Sequence, residues 1–276
     1  MNKAGSARSL FFLTRISLML WDNAATIGLI TAGMSSENSI SIANTFGLPC
    51  YAAQKISCDT IESLQSACVQ GRTSSLPQLV LGGGSNILFL EPQLQASVLY
   101  PQLNHVRWTL QSETSATITV GAGHGWHALV MKTIEQAWNG LENLALIPGN
   151  VGAAPIQNIG AYGVELKDVL VSVTAVERAT GEAQSFTTKD LSFGYRDSFF
   201  KRAGKHRFVI AELCIQLSRG QAFNISYEAL SQALARTPNE QVSARTIANA
   251  VIEVRQSKLP NPCLLYTSPS PRDRTR

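Results

Sequence analysis

The amino-acid sequence predicts an α+β fold, because segments with helical periodicity and segments of apolar, β-branched residues both occur but do not alternate strictly. Two glycine-rich segments interrupt them, and the longer one carries almost no charge. A chain of 276 residues can form about two domains with cores of their own. A content of 45% hydrophobic and 15% charged residues is ordinary for a globular protein.

Periodicity places the individual elements. Apolar residues recur at helical spacing over residues 60–70, 127–137 and 239–257, which predicts three amphipathic helices. Runs rich in Val, Ile and Leu predict strands, and the last run alternates as in a hairpin partner. The predicted strands cover residues 98–100, 116–120, 169–177, 184–187 and 208–217.

The first glycine segment lies between two apolar runs, residues 79–81 and 87–90, so the pattern predicts strand, loop and strand. Successive N–H groups in such a loop can hold anionic oxygens, which favours a phosphate or pyrophosphate ligand. Ile87 stands where a dinucleotide fingerprint needs its third glycine, and no Gly-Lys-Ser/Thr follows, as a P-loop requires. An ordinary hairpin turn is the alternative interpretation.

The second glycine segment, LALIPGNVGAAPIQNIGAYG at residues 144–163, is the most informative stretch of the chain. Glycine reaches positive φ and carries no Cβ, and proline fixes φ, so the composition indicates main chain that is shaped to press against a ligand. A tight turn between core strands is the alternative. It would explain one or two glycines, but not the four at Gly149, Gly152, Gly160 and Gly163.

Five motifs together resemble one family, the UDP-N-acetylenolpyruvoylglucosamine reductases, which are flavoenzymes of bacterial peptidoglycan precursor synthesis. They occur in order across residues 44–262, and Tyr227 in FNISYEAL resembles the tyrosine of one form of the family. The motifs are LGGGSNILFL (81–90), GAGHGWHALV (121–130), GLENLALIPGNVGAAPIQNIGAYGVEL (140–166), FGYRDSFFK (193–201) and RQSKLPNP (255–262).

The resemblance implies a two-lobed FAD-binding module of the vanillyl-alcohol-oxidase type, with lobe 1 over residues 44–105 and lobe 2 over residues 106–262. It also implies non-covalent FAD, because residues 82–88 and 148–163 contain no Cys or His as a tether. The cofactor-binding residues would be Gly82, Gly83, Gly84, Ser85, Asn86, Ile147, Pro148, Gly149, Ala154, Gln157, Asn158, Gly160 and Tyr162.

The reaction implied by the resemblance moves hydride from NADPH through the flavin to the enolpyruvyl ether of a UDP-sugar, giving UDP-N-acetylmuramate. Arg196 would be the catalytic cation that stabilises charge on the substrate carboxylate. The alternative is a surface arginine paired with Asp197. Tyr227, Arg255 and Lys258 would bind substrate, although an exposed strand-end tyrosine and helix-end cations are common without such a role.

The two ends of the chain are expected to lie outside the fold. Residues 1–43 are interpreted as an upstream extension with Met34 as the natural start, and a signal peptide is the alternative. Residues 263–276 are interpreted as a non-native or disordered tail. The family's third domain, with its proton-donating serine and assisting glutamate, has no match here. We therefore expect an inactive FAD-binding fragment of the enzyme, and a related flavoprotein oxidase is the other interpretation.

The charge and the cysteine content limit the classes of ligand and partner that the sequence predicts. A net charge of +4 without a basic run among aromatics does not indicate nucleic acid, and the apolar residues 10–21 are too few to span a bilayer. Five cysteines without C-x-x-C spacing predict neither disulfides nor zinc, and favour a cytoplasmic protein. His124 and His127 lack a third ligand, so no metal is expected. Trp126 is predicted to lie in the core, and the protein to be a monomer.

Overall fold

Two β-sheets organise the chain in the computed structural model, which describes residues 40–235, 238 and 241–258. The first sheet has the order β1-β2-β4-β3; β2 and β3 run parallel to β4, and β1 is antiparallel to β2. Helix α1 connects β2 to β3. The bounds are β1 Ile40–Ser41, β2 Tyr51–Cys58, α1 Ile61–Thr73, β3 Gln78–Val80 and β4 Gln93–Pro101.

The second sheet is antiparallel throughout, with the order β10-β9-β11-β6-β5. Its elements, with the helices and the small β7-β8 hairpin, are β5 Val106–Leu110, β6 Ser115–Gly121, α2 Trp126–Glu135, β7 Gly160–Ala161, β8 Val164–Glu165, β9 Leu170–Glu177, β10 Ala183–Thr187, β11 Phe208–Ser218, α3 Glu228–Leu234 and α4 Ala244–Lys258. Four short 3-10 turns, Glu142–Leu144, Val151–Gln157, Leu166–Asp168 and Phe199–Lys201, complete the connections among the described residues.

Helix α1 lies between the two sheets. Thr60 caps its start, because the Thr60 hydroxyl accepts the N–H of Ser63 at 3.1 Å. Its buried face shares one apolar cluster with Leu99 of β4 and Val209 of β11. This packing removes apolar surface of both sheets from water, so it holds the two sheets together.

The larger core lies where α2 and α4 pack near the second sheet. Trp126, the first residue of α2, is 1% exposed and belongs to this cluster, so its predicted core position is confirmed. Its indole N–H donates to the carbonyl of Leu144 at 3.0 Å, which satisfies the polar atom of a buried ring. This bond holds α2 against Leu144, the first residue of the second glycine segment.

Most predicted elements are confirmed with shifted ends, but the strand at residues 87–90 is wrong. Ile87 and Phe89 are buried in the core of the first sheet, yet their backbone pairs with no strand. An apolar run can therefore anchor a loop by its side chains alone. The last strand is also buried on both faces over much of its length, because β11 is the central strand and α1 covers one side.

The final helix starts later than the predicted residue 239. Ser243 ends the preceding segment, since its hydroxyl accepts the Thr246 N–H at 3.2 Å while the Thr246 hydroxyl accepts the Ser243 N–H at 2.8 Å. This reciprocal cap fixes the first helical residue at Ala244. Residues 239 and 240 lie outside the described part.

Besides the two-residue strands β1, β7 and β8, the elements β2, β5 and α3 escaped prediction. Strands β2 and β5 carry mixed polar residues and α3 has seven residues, so none gives a strong periodic signal. At the N-terminal side, Ile40 and Ser41 pair with β2 and Ile42 is buried in the core of the first sheet, so these three residues of the expected extension are part of the fold. The remaining extension, residues 1–39, and the tail, residues 263–276, lie outside the described residues.

Candidate functional site

The two glycine segments lie directly against each other. A Cβ atom on Gly83 would come within 2.7 Å of Asn150 Oδ1, and one on Gly149 within 2.7 Å of Ser85 Oγ. Atoms do not approach a Cβ that closely, so any other residue at either position would have to displace the opposite side chain. We call the shared surface the glycine cradle, which comprises residues 82–86 and 148–152.

The glycine cradle presents a row of backbone donors. The N–H groups of residues 82–86 donate to no other residue in the described part of the chain. Gly84 and Gly149 have φ values of 65° and 100°, a region that favours glycine. Consecutive N–H groups in such a turn form a concave site for anionic oxygens. The cradle therefore fits a ligand that carries phosphate groups.

The start of α2 fixes the second half of the cradle. Trp126 N–H donates to the Gly149 carbonyl at 2.9 Å, and the amide of Asn150 donates to the Gly123 carbonyl at 2.7 Å. His127 Nδ1 accepts the N–H of Leu146 at 3.0 Å. Because burial lowers the pKa of His127, its ring is neutral at pH 7 and can accept this bond. His127 is thus a loop anchor.

Arg196 occupies a tight turn beside the second glycine segment. Its guanidinium donates to the Gly160 carbonyl at 2.7 Å, and its own carbonyl accepts the Lys201 ammonium at 3.0 Å. The alternative interpretation paired Arg196 with Asp197. The structure instead pairs that carboxylate with Arg202, which holds the pKa of Asp197 below its usual range. The Arg196 charge is therefore not paired with Asp197, and its guanidinium lies against the second glycine segment.

Asn158 holds this arrangement together from a buried position. Its amide donates to Glu165 at 2.9 Å and to the Gly194 carbonyl at 3.1 Å, and its oxygen accepts the Lys167 N–H at 3.1 Å. Burial acts to raise the pKa of Glu165, but bonds from Lys167 and Asn158 and the charge of Arg196 hold it below its usual range. The side chain of Asn158 is thus occupied by internal contacts.

Replacing Asn158 by alanine should destabilise the fold by about 2–3 kcal/mol, because two part-buried acceptors and one donor lose a partner that is itself buried. Asn158 has φ 44°, which glycine adopts without the Cβ penalty. Asn158→Gly should therefore cost about 1 kcal/mol less than Asn158→Ala. Urea unfolding of both variants measures the difference. Equal loss in the two variants would contradict the assigned backbone strain, and no loss in either would contradict the network.

A second cation, Arg255 of α4, lies near enough to Arg196 for the two charges to interact. Burial lowers the pKa of Arg255, Tyr162 acts to raise it, and the Arg196 charge lowers it further. The Nε atom of Arg255 is buried and has no hydrogen-bond partner among the described residues. We call Arg196 and Arg255 the guanidinium pair. Two neighbouring cations, one with an unused buried donor, form a site suited to an anion.

Aromatic rings border the guanidinium pair. Tyr162 meets Tyr227 edge to face, with ring centroids 5.3 Å apart. Tyr227 directly precedes α3, so the alternative of a strand-end tyrosine is wrong, and the residue is 48% exposed. Lys258 is the last residue of α4 and is exposed. The rings of Tyr162 and Tyr227 thus form a polar, aromatic rim beside the guanidinium pair.

The other predicted cofactor-binding residues lie in several different structural environments. Gln157 Oε1 lies 3.5 Å from Asn86 Nδ2, a long contact that joins the two segments. Pro148 is exposed and Ile147 half-buried at the cradle, whereas the side chain of Ala154 is buried in the core. A Cβ on Gly160 would meet the neighbouring strand β8, 2.9 Å from a Glu165 carbon, so this glycine is required by the hairpin.

Sequence reasoning missed several residues that position the site. Asn150, His127, Glu165 and Lys201 each hold a neighbouring loop, through the contacts given above. All four stand within the quoted motifs, which was the available signal. Their bonds reach residues that are not adjacent in the chain, so no local pattern shows their partners.

The described part of the chain contains no group of three or more His, Cys, Asp or Glu side chains that could hold a metal ion. His124 is half-buried and its ring contacts the Gly125 carbonyl, whereas the ring of His127 accepts the Leu146 N–H. Among the same residues, no helix has both the length and the hydropathy needed to cross a membrane.

Comparison with known proteins identifies the fold and the family. The model of the FAD binding domain matches residues 52–187. The crystal structure of the UDP-N-acetylenolpyruvylglucosamine reductase of Thermus caldophilus superposes with a TM-score of 0.55 at 24% identity, covering 81% of this chain and 71% of that one. The fold is thus the α+β, two-lobed FAD-binding module that the sequence predicted.

Curated relatives match more closely in sequence. The UDP-N-acetylenolpyruvoylglucosamine reductase of Ralstonia nicotianae is 44% identical over 222 residues, which are 79% of this chain and 65% of the relative. That of Flavobacterium johnsoniae is 37% identical over 238 residues, 86% of this chain and 70% of the relative. The chain thus spans about two thirds of the length of these relatives. With this identity and coverage, the chain belongs to the UDP-N-acetylenolpyruvoylglucosamine reductase family.

Proposed function

We propose that the protein acts as an FAD-dependent reductase that converts UDP-N-acetylenolpyruvoylglucosamine to UDP-N-acetylmuramate with NADPH. The observation that carries the proposal is that one segment, residues 144–163, supplies half of the glycine cradle and, at Gly160, the carbonyl that holds Arg196 of the guanidinium pair. Membership of the family supplies the substrate class.

The glycine cradle would hold FAD by its pyrophosphate. The N–H groups of residues 82–86 have no acceptor among the described residues, and the absence of Cβ atoms at Gly83 and Gly149 lets main chain approach the ligand. Bound FAD supplies hydride transfer from NADPH to the substrate. The cradle has no Cys or His, so we propose that the cofactor is held without a covalent bond.

Arg196 would stabilise the charge that develops during reduction. Addition of hydride to the vinyl carbon of an enolpyruvyl ether places negative charge on the adjacent carboxylate. A guanidinium keeps its charge and can hold a carboxylate through two parallel hydrogen bonds. Because the Gly160 carbonyl and Lys201 fix both ends of Arg196, little reorganisation is needed when the charge appears.

Arg255, Lys258 and Tyr227 would bind the remainder of the substrate. Arg255 has an unused buried donor, Tyr227 presents a half-exposed ring and hydroxyl, and Lys258 lies at the exposed end of the same helix as Arg255. A UDP-sugar offers a diphosphate for the cations and hydroxyl groups for the tyrosine. These roles make the rim of the guanidinium pair the proposed substrate site.

The proposal includes a monomeric, cytoplasmic protein. The four described cysteines are free, and burial raises the pKa of Cys50 and Cys68 to about 11. Buried neutral thiols are compatible with the reducing cytoplasm, where NADPH and UDP-sugars are also found. Light scattering at several concentrations would detect a dimer and so contradict the monomer.

The function is tested on two proteins, this chain and the same chain followed by the last third of the Ralstonia nicotianae relative. Both should bind FAD, and acid precipitation should release it into the supernatant. The extended protein should oxidise NADPH only when UDP-N-acetylenolpyruvoylglucosamine is present. Oxidation that depends on oxygen alone would favour a flavoprotein oxidase, and colour that remains in the precipitate would contradict non-covalent binding.

A further inference from the structure

A cavity of about 310 Å³ lies where the two sheets meet, beside α1. Gly71 and Gln78 border it from the first sheet's side, and Glu177, Arg178 and Arg207 border it from the second. Gln78 begins β3, whereas the glycine cradle follows the end of that strand. Four extended residues span up to about 14 Å, so the cavity lies at the other end of β3 from the cradle.

The cavity carries more positive than negative charge. Arg72, Arg178 and Arg207 line it, and Glu177 is the one carboxylate among its lining residues. Glu177 pairs with Arg207 at 3.1 Å. Arg72 and Arg178 have no carboxylate within ion-pairing distance among the described residues. Two guanidinium charges therefore remain without a counter-charge at the cavity.

Both unpaired guanidiniums are held in place by carbonyl groups. Arg178 donates to the carbonyls of His206 at 3.2 Å and Gln78 at 3.1 Å, and Arg72 donates to the carbonyl of Ala179 at 2.5 Å. Carbonyl acceptors position a guanidinium but do not neutralise it. Each has five N–H groups, more than these contacts use, so donors remain for a ligand.

The rest of the lining adds no negative charge. Burial raises the pKa of the Cys68 thiol to about 11, so it is neutral at physiological pH. His206 lines the same cavity, and burial, Lys205 and Arg178 together lower its pKa. The His206 ring is therefore a neutral polar group under the same conditions.

We propose that this cavity binds a phosphate dianion, either free or as a phosphate monoester, between α1 and the second sheet. A tetrahedral dianion has several oxygens and can accept from two guanidiniums at once, which matches the two uncompensated charges of Arg72 in α1 and Arg178 after β9. The volume of about 310 Å³ leaves room for phosphate with bridging water. The bound anion links the two sheets at the end of β3 remote from the cradle.

The test is calorimetric titration of sodium phosphate into the full chain saturated with FAD, at constant ionic strength. Saturation with FAD keeps phosphate out of the glycine cradle. Wild-type protein should show one saturable site, and Arg72→Gln should weaken binding about tenfold or more. Arg178 is left intact, because it also bridges the two sheets.

Arg245→Gln is the matched control, since it removes the same charge from α4 and does not line the cavity. Its phosphate affinity should equal that of wild type. Arg72→Lys keeps the charge but loses the planar fork, so it should bind with intermediate affinity. Circular dichroism melting of each variant checks that it remains folded.

Glycerol phosphate in place of orthophosphate distinguishes the two sources: similar affinity supports recognition of a monoester, and much weaker affinity supports free phosphate. No saturable heat in wild type, or equal weakening in Arg72→Gln and Arg245→Gln, would overturn the proposal. Flavin absorbance of the same samples reports on the cradle separately. A protein that binds phosphate but not FAD would therefore contradict only the proposed function.

Discussion

Gly149→Val should abolish FAD binding, with a loss of affinity of at least about a hundredfold. Gly149 has φ 100°, where a β-branched residue is strongly strained, and its Cβ would lie 2.7 Å from the Ser85 hydroxyl. The side chain would push the two halves of the glycine cradle apart and cover the N–H groups of residues 82–86, which would otherwise bind phosphate. Flavin fluorescence titration of the purified variant measures the loss.

Gly125→Ala is the matched control for this variant. Gly125 lies next to α2, in the segment that fixes the cradle, but has a φ of −67°. The nearest atom to its added Cβ would be 3.9 Å away, on Ala128. This variant should bind FAD as wild type does. FAD binding by Gly149→Val at wild-type affinity would show that the cradle does not hold the cofactor.

Arg196→Ala should lower kcat about 10²- to 10³-fold in the chain extended by the last third of the Ralstonia nicotianae relative, as removal of one oxyanion donor does. The FAD content should not change, because the contacts of Arg196 are to Gly160 and Lys201 rather than to the glycine cradle. Substrate-dependent oxidation of NADPH gives kcat, and absorbance gives the flavin content.

Arg202→Ala serves as the control, since Arg202 lies six residues away in the same segment and its side chain is 60% exposed. It forms the surface ion pair with Asp197, and such exposed pairs contribute little. Its kcat should stay within about twofold of wild type. Equal losses in both variants would indicate damage to the turn rather than a role for the Arg196 charge. An unchanged kcat in Arg196→Ala would remove Arg196 from the mechanism.

The sequence by itself determined the features that depend on residue type. Glycine at residues 82–84 and 149 predicted main chain pressed against a ligand, and the structure shows that a Cβ at Gly83 or Gly149 would collide with the opposite loop. Helical periodicity also located α1, α2 and α4, because an amphipathic helix places its apolar residues at a regular spacing along the sequence. These inferences needed no knowledge of distant partners.

Only the tertiary structure decided which groups meet. Ile87 and Phe89 belong to an apolar run like a strand, but their side chains pack into the core of the first sheet while their backbone joins no strand. The resemblance implied that Asn158 contacts the cofactor, and the structure adds that its amide joins Glu165 to the turn of Arg196. Arg196 and Arg255 approach each other across 59 positions of sequence. A hydrogen bond or a charge interaction depends on the distance between atoms in the folded protein. The local sequence does not give that distance, because packing of the core sets it.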